Sequence, residues 1–534
     1  MKSKLISLAL IAISFVYIGC RKYDPSKIVS TAWNPNIAVP LAYAEFDVYD
    51  IMARTDSNDI VVIDPSSGAI ALVYKGEVIS YEAKDIVQLS DYTESISFSS
   101  SDVGLVTAAS FNGSASGSTT STVTAPVNAG VEMYTVLFKD GDLTINVQTD
   151  VQHDVDITIT IPALLESGNV FTRTIPLAFG GLIPQVASIN VDLTGMSLDL
   201  TQGNTTFNEF DIQTTVTITG TGNPVTGIES CTADLTFSSL AFQNATGYFG
   251  QQSVGVDNDS ILIKIFENSS SGFFQLVDPR VRFTVQNSFG FPLEIDFTNL
   301  QSIDVNTGTS YPLTGYPNPL SIPSPLSMGQ TTTTVLELNS SNTTNISTVI
   351  TPTPKYFYFE ANGTSNPLGN IGANFITDTS TFKVDAELEL PLEGYAYGFS
   401  FSDTIDFTFS ENIDNIESLM IRLNVDNGFP VELLSQVTLL DSNGVPLFNL
   451  LNAPENVVES ALVDGNGRVS QNIVKITDFI LTETEIEQMP EVRSILVTAV
   501  AKSLNGNNGL IVKIYDDYFI NVKVGMQVQG KFNL

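Results

Sequence analysis

The chain has 534 residues, with 58 acidic against 23 basic side chains and a net charge of −35. That balance repels phosphate backbones and excludes nucleic acid as a partner. Two cysteines, Cys20 and Cys231, and one histidine exclude a disulfide framework and an ordinary zinc site.

Lys2 and Lys4 flank the start of a short apolar run, Leu5 to Ile18. It is shorter than the roughly 20 residues that span a bilayer and has the form of an export signal. The run closes on Tyr17-Ile18-Gly19-Cys20, which resembles the lipobox of bacterial lipoproteins, with Tyr17 where that family usually carries leucine. The resemblance implies cleavage between Gly19 and Cys20 and acylation of Cys20. Acyl chains contribute about 0.8 kcal/mol per buried CH₂, so several on one cysteine hold a protein firmly. In Gram-negative lipoproteins an aspartate after the cysteine favours the inner membrane. Arg21 stands there, so the resemblance implies the outer membrane. Arg21-Lys22-Tyr23-Asp24 offers one acid and leaves the periplasmic or surface face open. The acidic remainder repels anionic headgroups, so the lipid is expected to supply membrane binding.

After the signal, 1–19, residues 20–44 are expected to form a lipidated tether and 45–90 an N-terminal β-hairpin region. The first dozen tether residues reach only about 40 Å at about 3.3 Å each, which keeps the body near the lipid surface. Val61 to Asp64, the turn Pro65 to Gly68, and Ala69 to Tyr74 read as a hairpin. Trp33, the sole tryptophan, is expected to pack rather than to dip into the interface.

Alternating apolar and polar residues then recur at Asp154 to Ile161, Phe210 to Thr219, Ile261 to Ile265, Val281 to Val285 and Phe382 to Leu390. Alternation puts one set of side chains on each strand face. The fold class expected is all-β, as tandem β-sandwich-like domains of immunoglobulin or fibronectin type. Ala108 to Ala125, rich in Gly, Ser and Thr, reads as a flexible loop. Tyr311 to Pro325 and Thr331 to Thr334 read as a long connection. One short C-terminal helix is expected, capped by Thr482 with Glu485 three positions on and stopped by Pro490.

The chain also repeats itself at a period of roughly 140 residues, far above the 20 to 50 of solenoids. Glu94-Ser-Ile96 is matched by Asp259-Ser-Ile261 and Asp403-Thr-Ile405. Leu143 to Val147 is matched by Val281 to Val285 and Ile421 to Val425, the last two followed by Phe291-Pro-Leu-Glu294 and Phe429-Pro-Val-Glu432. Leu198 to Thr206 parallels Leu336 to Thr344, Gly220 to Pro224 parallels Gly363 to Pro367, and Gly247 to Gly250 parallels Gly394 to Gly398. Three repeat units follow: 91–250, 251–398 and 399–534. Leu276-Val-Asp-Pro279, Val281 to Asn287 and Phe291-Pro-Leu293 also resemble the strand pattern of late-embryogenesis-abundant type 2 proteins. That resemblance implies a small β-sandwich and no activity.

His153 lies among Asp150, Asp154 and Asp156 and reads as an exposed strand residue rather than a general base. Gly113 to Gly117 carries alanine where a nucleophile elbow needs serine. Gly220-Thr-Gly222 reads as a turn, and Asp441 to Gly444 and Asp464 to Gly467 as hairpin turns rather than calcium loops. Tyr356 to Phe359 and Tyr395 with Tyr397 are candidates for stacking on sugars, with alternation placing one of each pair in the core. Cys231 is expected to pack as a small apolar residue. No catalytic residue, metal or cofactor is assigned. The function expected is that of a membrane-anchored, non-catalytic binding or structural module, with a protein or glycan as ligand. The alternatives are a carbohydrate-acting enzyme or a lipid carrier.

Overall fold

Strand formation follows from alternation that the core can use. In Asp154–Glu166, Val155, Ile157, Ile159 and Ile161 are at most 1% exposed. Between them Thr158 and Thr160 turn outward and bond Thr174 and Thr172 of the neighbouring strand at 2.9 and 3.2 Å. Burying each such aliphatic side chain is worth about 1.5–3 kcal/mol. The computed structural model describes residues 35–53, 60–105, 107–266, 271–304, 307–372, 374–407 and 416–530.

The described strands build three sandwiches, each with eight strand positions in the same arrangement. In sandwich I the positions are Tyr92–Ser99, Ser114–Thr124, Glu132–Thr149, Asp154–Glu166, Asn169–Leu177, Gln185–Asp192, Glu209–Thr219 and Ser230–Tyr248. One sheet runs in the order 1-8-3-6 and the other 2-7-4-5. The short strand Ser197–Asp199 pairs with positions 3 and 4 and joins the two sheets along one side.

Sandwich II repeats that order. Ile70–Glu82, Thr381–Pro391, Arg280–Asn287 and Thr332–Leu338 form its 1-8-3-6 sheet. Ser253–Leu262, Tyr356–Ser365 and Leu293–Ile303 form 2-7-4, with Ser310–Pro312 and Leu320–Ile322 sharing position 5. Sandwich III does so again. Asn36–Asp47, Phe519–Gly530, Ile416–Asn427 and Ile473–Leu481 form 1-8-3-6. Glu393–Asp406, Ser494–Ser503 and Val431–Leu440 form 2-7-4, with Pro446–Asn449 and Glu455–Val458 at position 5.

The all-β architecture of packed sandwiches and the short C-terminal helix are as expected. The helix, Glu483–Gln488, has a capping box between Thr482 and Glu485. The strand order differs from an immunoglobulin domain: eight strands paired 1-8-3-6 and 2-7-4-5 make a jelly roll.

The sandwiches are also nested rather than simply tandem. Position 1 of sandwich III comes first in the chain, then position 1 of II, then that of I. Sandwich I then closes, followed by II and III. The expected tether 20–44 and hairpin region 45–90 are corrected accordingly. Asn36–Asp47 is an integral strand of III, and Ile70–Glu82, with its expected hairpin partner Val61–Ile63, is an integral strand of II. Each supplies backbone groups that the closing strand of its sandwich needs. The described residues cluster into two compact units, one combining residues up to Ile51 with those from Tyr395 on, the other running from Met52 to Gly394.

A second correction concerns Ala108 to Ala125. Ser114–Thr124 is a strand paired over eleven residues with Glu209–Thr219. A ladder of hydroxyls compensates for its lack of apolar residues: Ser116 to Thr217, Ser118 to Thr215 and Thr122 to Asp211 lie 2.7–3.1 Å apart. Val123 alone plugs the core, at 3% exposed.

Within the Met52–Gly394 unit, sandwich II grips sandwich I through the connection between its positions 7 and 8. Asn374–Thr377 in that connection pairs with Asn244–Gly247 of sandwich I. Gly290 carries no Cβ because the Phe375 ring lies where one would sit, 2.2 Å away. Phe249 and Phe291 meet at 5.9 Å across the same junction.

Candidate functional site

Jelly-roll topology brings alternate connections to one end of a sandwich. In sandwich I these are residues 100–105 with 107–113, 150–153, 178–184 and 220–229. Hydrogen bonds tie all four together. Ala108 and Phe111 donate backbone N–H to Val225 and Asn223, and Asn223 donates its amide to the Gln152 carbonyl at 2.7 Å. Gln185 donates to the carbonyls of Val151 and His153 at 2.7 and 2.9 Å. Phe179 N–H donates to Asp154 at 2.8 Å.

Two polar side chains anchor this end. His153 is 1% exposed, which overturns the expectation of an exposed strand residue. Thr221, 68 positions away, donates its backbone N–H to His153 Nδ1 at 3.1 Å, so the ring proton belongs on Nε2. Phe111 stacks edge-on at 5.3 Å, and Nε2 is buried without a hydrogen-bond partner. Burial pushes the imidazole below its usual range, against the opposing pull of Glu229 and Asp154. Glu229 accepts from Thr226 N–H and Oγ1, Gly227 N–H and Ser100 Oγ at 2.6–2.8 Å. Burial acts to raise its carboxyl, but these donors outweigh it and hold the group at about 2.

The arrangement fastens loops rather than aligning a nucleophile. The Thr221 hydroxyl, 3.1 Å from the ring, donates its proton to the Gln152 carbonyl. Asp102, Asp150, Asp154 and Glu229 all accept from the chain's own backbone. Leu182 and Ile228, 82% and 85% exposed, project from the fastened loops. The result is a rigid, loop-built platform of the kind that presents binding residues.

The other candidates are placed as follows. Gly19, Cys20 and Trp33 lie outside the described residues. Cys231 is 3% exposed beside the Thr149 hydroxyl at 3.0 Å, and burial pushes its thiol up. Asp441 and Asp464 each accept two backbone N–H bonds from their own turns. Among the described residues, no group of three His, Cys, Asp or Glu could hold a metal ion. Phe357 and Phe359 are core, while Tyr356 is 38% exposed and sits 5.8 Å from Tyr358. Tyr395 and Tyr397 are half-buried. Between the sheets of sandwich II, Val78, Ile295, Phe297, Ala361 and Val384 line a gap of about 30 Å³. That volume is far below the roughly 300 Å³ or more of a small-molecule pocket. No described helix is long and apolar enough to cross a membrane.

No known protein family matches the chain, and no curated protein does. Among solved structures it is similar to a candidate secreted protein of Parabacteroides distasonis. The two share 12% identity over 54% of this chain and 90% of that one, with a TM-score of 0.29. It is also similar to the VP2 subviral particle of infectious bursal disease virus, at 11% identity, 75% and 73% coverage and a TM-score of 0.15. A third similarity is to the tandem CBM22 domains of Paenibacillus barcinonensis Xyn10C, at 8% identity, 60% and 98% coverage and a TM-score of 0.12. Similarities this weak carry no argument about function.

Proposed function

We propose that the chain is an envelope lipoprotein, held at the outer membrane by acylated Cys20, that presents jelly-roll sandwiches as non-catalytic binding or structural modules. The supporting observation is the nested topology. The first described strand, Asn36–Asp47, and the last, Phe519–Gly530, share one sheet of sandwich III. In chain order sandwich I is opened last and closed first. Its fastened loop end would meet a protein or glycan. The test is crosslinking in intact cells at Ile228 with a photoreactive side chain. A discrete protein or glycan adduct, reduced by Leu182→Asp, is expected. An adduct pattern equal to that from a label at Val170, 50% exposed on position 5 of sandwich I, would count against the reading.

A further inference from the structure

Position 1 of sandwich III breaks the pattern set by its counterparts. In sandwich I this position buries Ile96 and Phe98, at 5% and 4% exposed. In sandwich II it buries Leu72, Val73 and Tyr74, and its free edge is capped by Val61–Ile63. In sandwich III the first eight residues of Asn36–Asp47 are all exposed. Ile37 is 52% exposed, Val39 41%, Leu41 51% and Tyr43 62%. Among the described residues the strand pairs on one side only, with Phe519–Gly530. Long, apolar, uncapped edges are what natural sheets avoid.

The charge pattern is equally local. In a chain of net charge −35, residues 28–44 carry no charged side chain. Just before them stand Arg21, Lys22 and Lys27 against Asp24 alone. Fifteen residues separate Cys20 from Asn36, which reach at most about 50 Å at about 3.3 Å each.

We infer that the edge strand Asn36–Asp47 is a second membrane contact, resting Ile37, Val39 and Leu41 at headgroup depth on the bilayer that holds Cys20. This rests on the lipoprotein reading above. The chain as a whole repels anionic headgroups, but residues 28–44 are uncharged and Arg21, Lys22 and Lys27 stand beside them, so that repulsion is relieved locally. At headgroup depth water still reaches the edge's backbone groups, which a hydrocarbon core would leave unsatisfied. Pro40, mid-strand, has no N–H to satisfy. The bulge between Pro40 and Ala42 turns Tyr43 to the other strand face, where its hydroxyl meets Asn521 at 2.9 Å and Lys523 lies 5.8 Å from its ring.

The test uses the chain from residue 20 onward with Cys20→Ser, so that no acyl chain contributes, and vesicles of phosphatidylethanolamine with a minor share of phosphatidylglycerol. The protein is expected to sediment with the vesicles. Ile37→Asp with Leu41→Asp should weaken partition by about tenfold or more, because two exposed aliphatic side chains no longer enter the interface. Leu326→Asp, at a 97% exposed site, should leave it unchanged. Both sites are exposed, so circular dichroism of the variants should match the parent. Absence of the parent from the vesicle pellet would overturn the inference, as would an equal loss in the Leu326 variant. Failure of vesicle binding together with self-association that Leu41→Asp abolishes would assign the edge to a second copy instead. The mass of Cys20 in the cellular protein scores the anchor separately, so the two can fail independently.

Discussion

Gln527 donates its side-chain amide to Asn36 at 2.7 Å, although 491 positions of chain lie between them. The bond fixes one end of an eleven-rung pairing that continues through Ile37 opposite Val528 and Val39 opposite Met526. Met526 and Val528 in turn pack against the cluster of Leu419, Leu439, Leu481, Ile486, Met489 and Val492. The first described strand is thus part of the closure of sandwich III.

A chain beginning at Val48 should therefore loosen sandwich III alone. It uncovers Met526 and Val528 and leaves one side of Phe519–Gly530 unpaired, a loss on the order of 5 kcal/mol. Hydrogen exchange should accelerate in Phe519–Gly530 and leave Asp154–Glu166 protected. Unchanged protection in Phe519–Gly530 would show that the strand is dispensable.

His153 gives sandwich I an acid sensitivity. Its pKa is lowered in the fold, so the unfolded chain takes up the proton first and stability falls as pH drops below about 6.5. His153→Gln keeps an acceptor for Thr221 but does not titrate. Its melting temperature should shift less than the parent's between about pH 7 and about pH 5. Parallel shifts in the two proteins would remove His153 from the account.

Glu229 acts in a lower window. Its carboxylate is held at about 2, so its contribution is complete above the ordinary value of 4.5 and is lost as pH falls toward 2. Glu229→Gln should cost about 2–3 kcal/mol near neutral pH, by turning an amide NH₂ toward two of the four donors. Chemical denaturation measures it, and a change below about 0.5 kcal/mol would contradict the hub role.

Gly117 tests the hydroxyl-rich strand. A Cβ there would sit 2.4 Å from the Asp102 carbonyl oxygen and 2.8 Å from Val103 Cα, both backbone. Gly117→Ala should cost about 1–3 kcal/mol. Gly113→Ala, whose nearest neighbour is the Phe111 ring at 3.6 Å, should cost much less. Equal denaturation midpoints would mean that Ser114–Thr124 does not pack against that loop.

Local pattern made the strands legible, and turn chemistry made part of the repeat legible. Asn287 and Asn427, both at most 1% exposed, each accept from a Phe N–H two residues on and donate to the carbonyl of the Phe before Pro292 or Pro430. That shared turn is the physical basis of the Phe-Pro landmark. Thr205 and Thr343 likewise each donate N–H four residues back, to Thr201 and Asn339. The Glu94 landmark misaligned, because Glu94 stands in position 1 while Asp259 and Asp403 stand in position 2. Nesting was hidden because no local pattern records a partner hundreds of residues away. Ser114–Thr124 was hidden because composition reports apolar content and not hydroxyl ladders. His153 reads as exposed in the sequence because its partner Thr221 arrives from a distant loop. The role proposed for Cys20 is legible only by resemblance.

The most direct test is the mass of the amino-terminal peptide of the protein isolated from its own membranes. A peptide beginning at Cys20, heavier by its acyl chains and lacking residues 1–19, is expected. An unmodified chain that still begins at Met1, or a cut that leaves Cys20 a free thiol, would contradict the account.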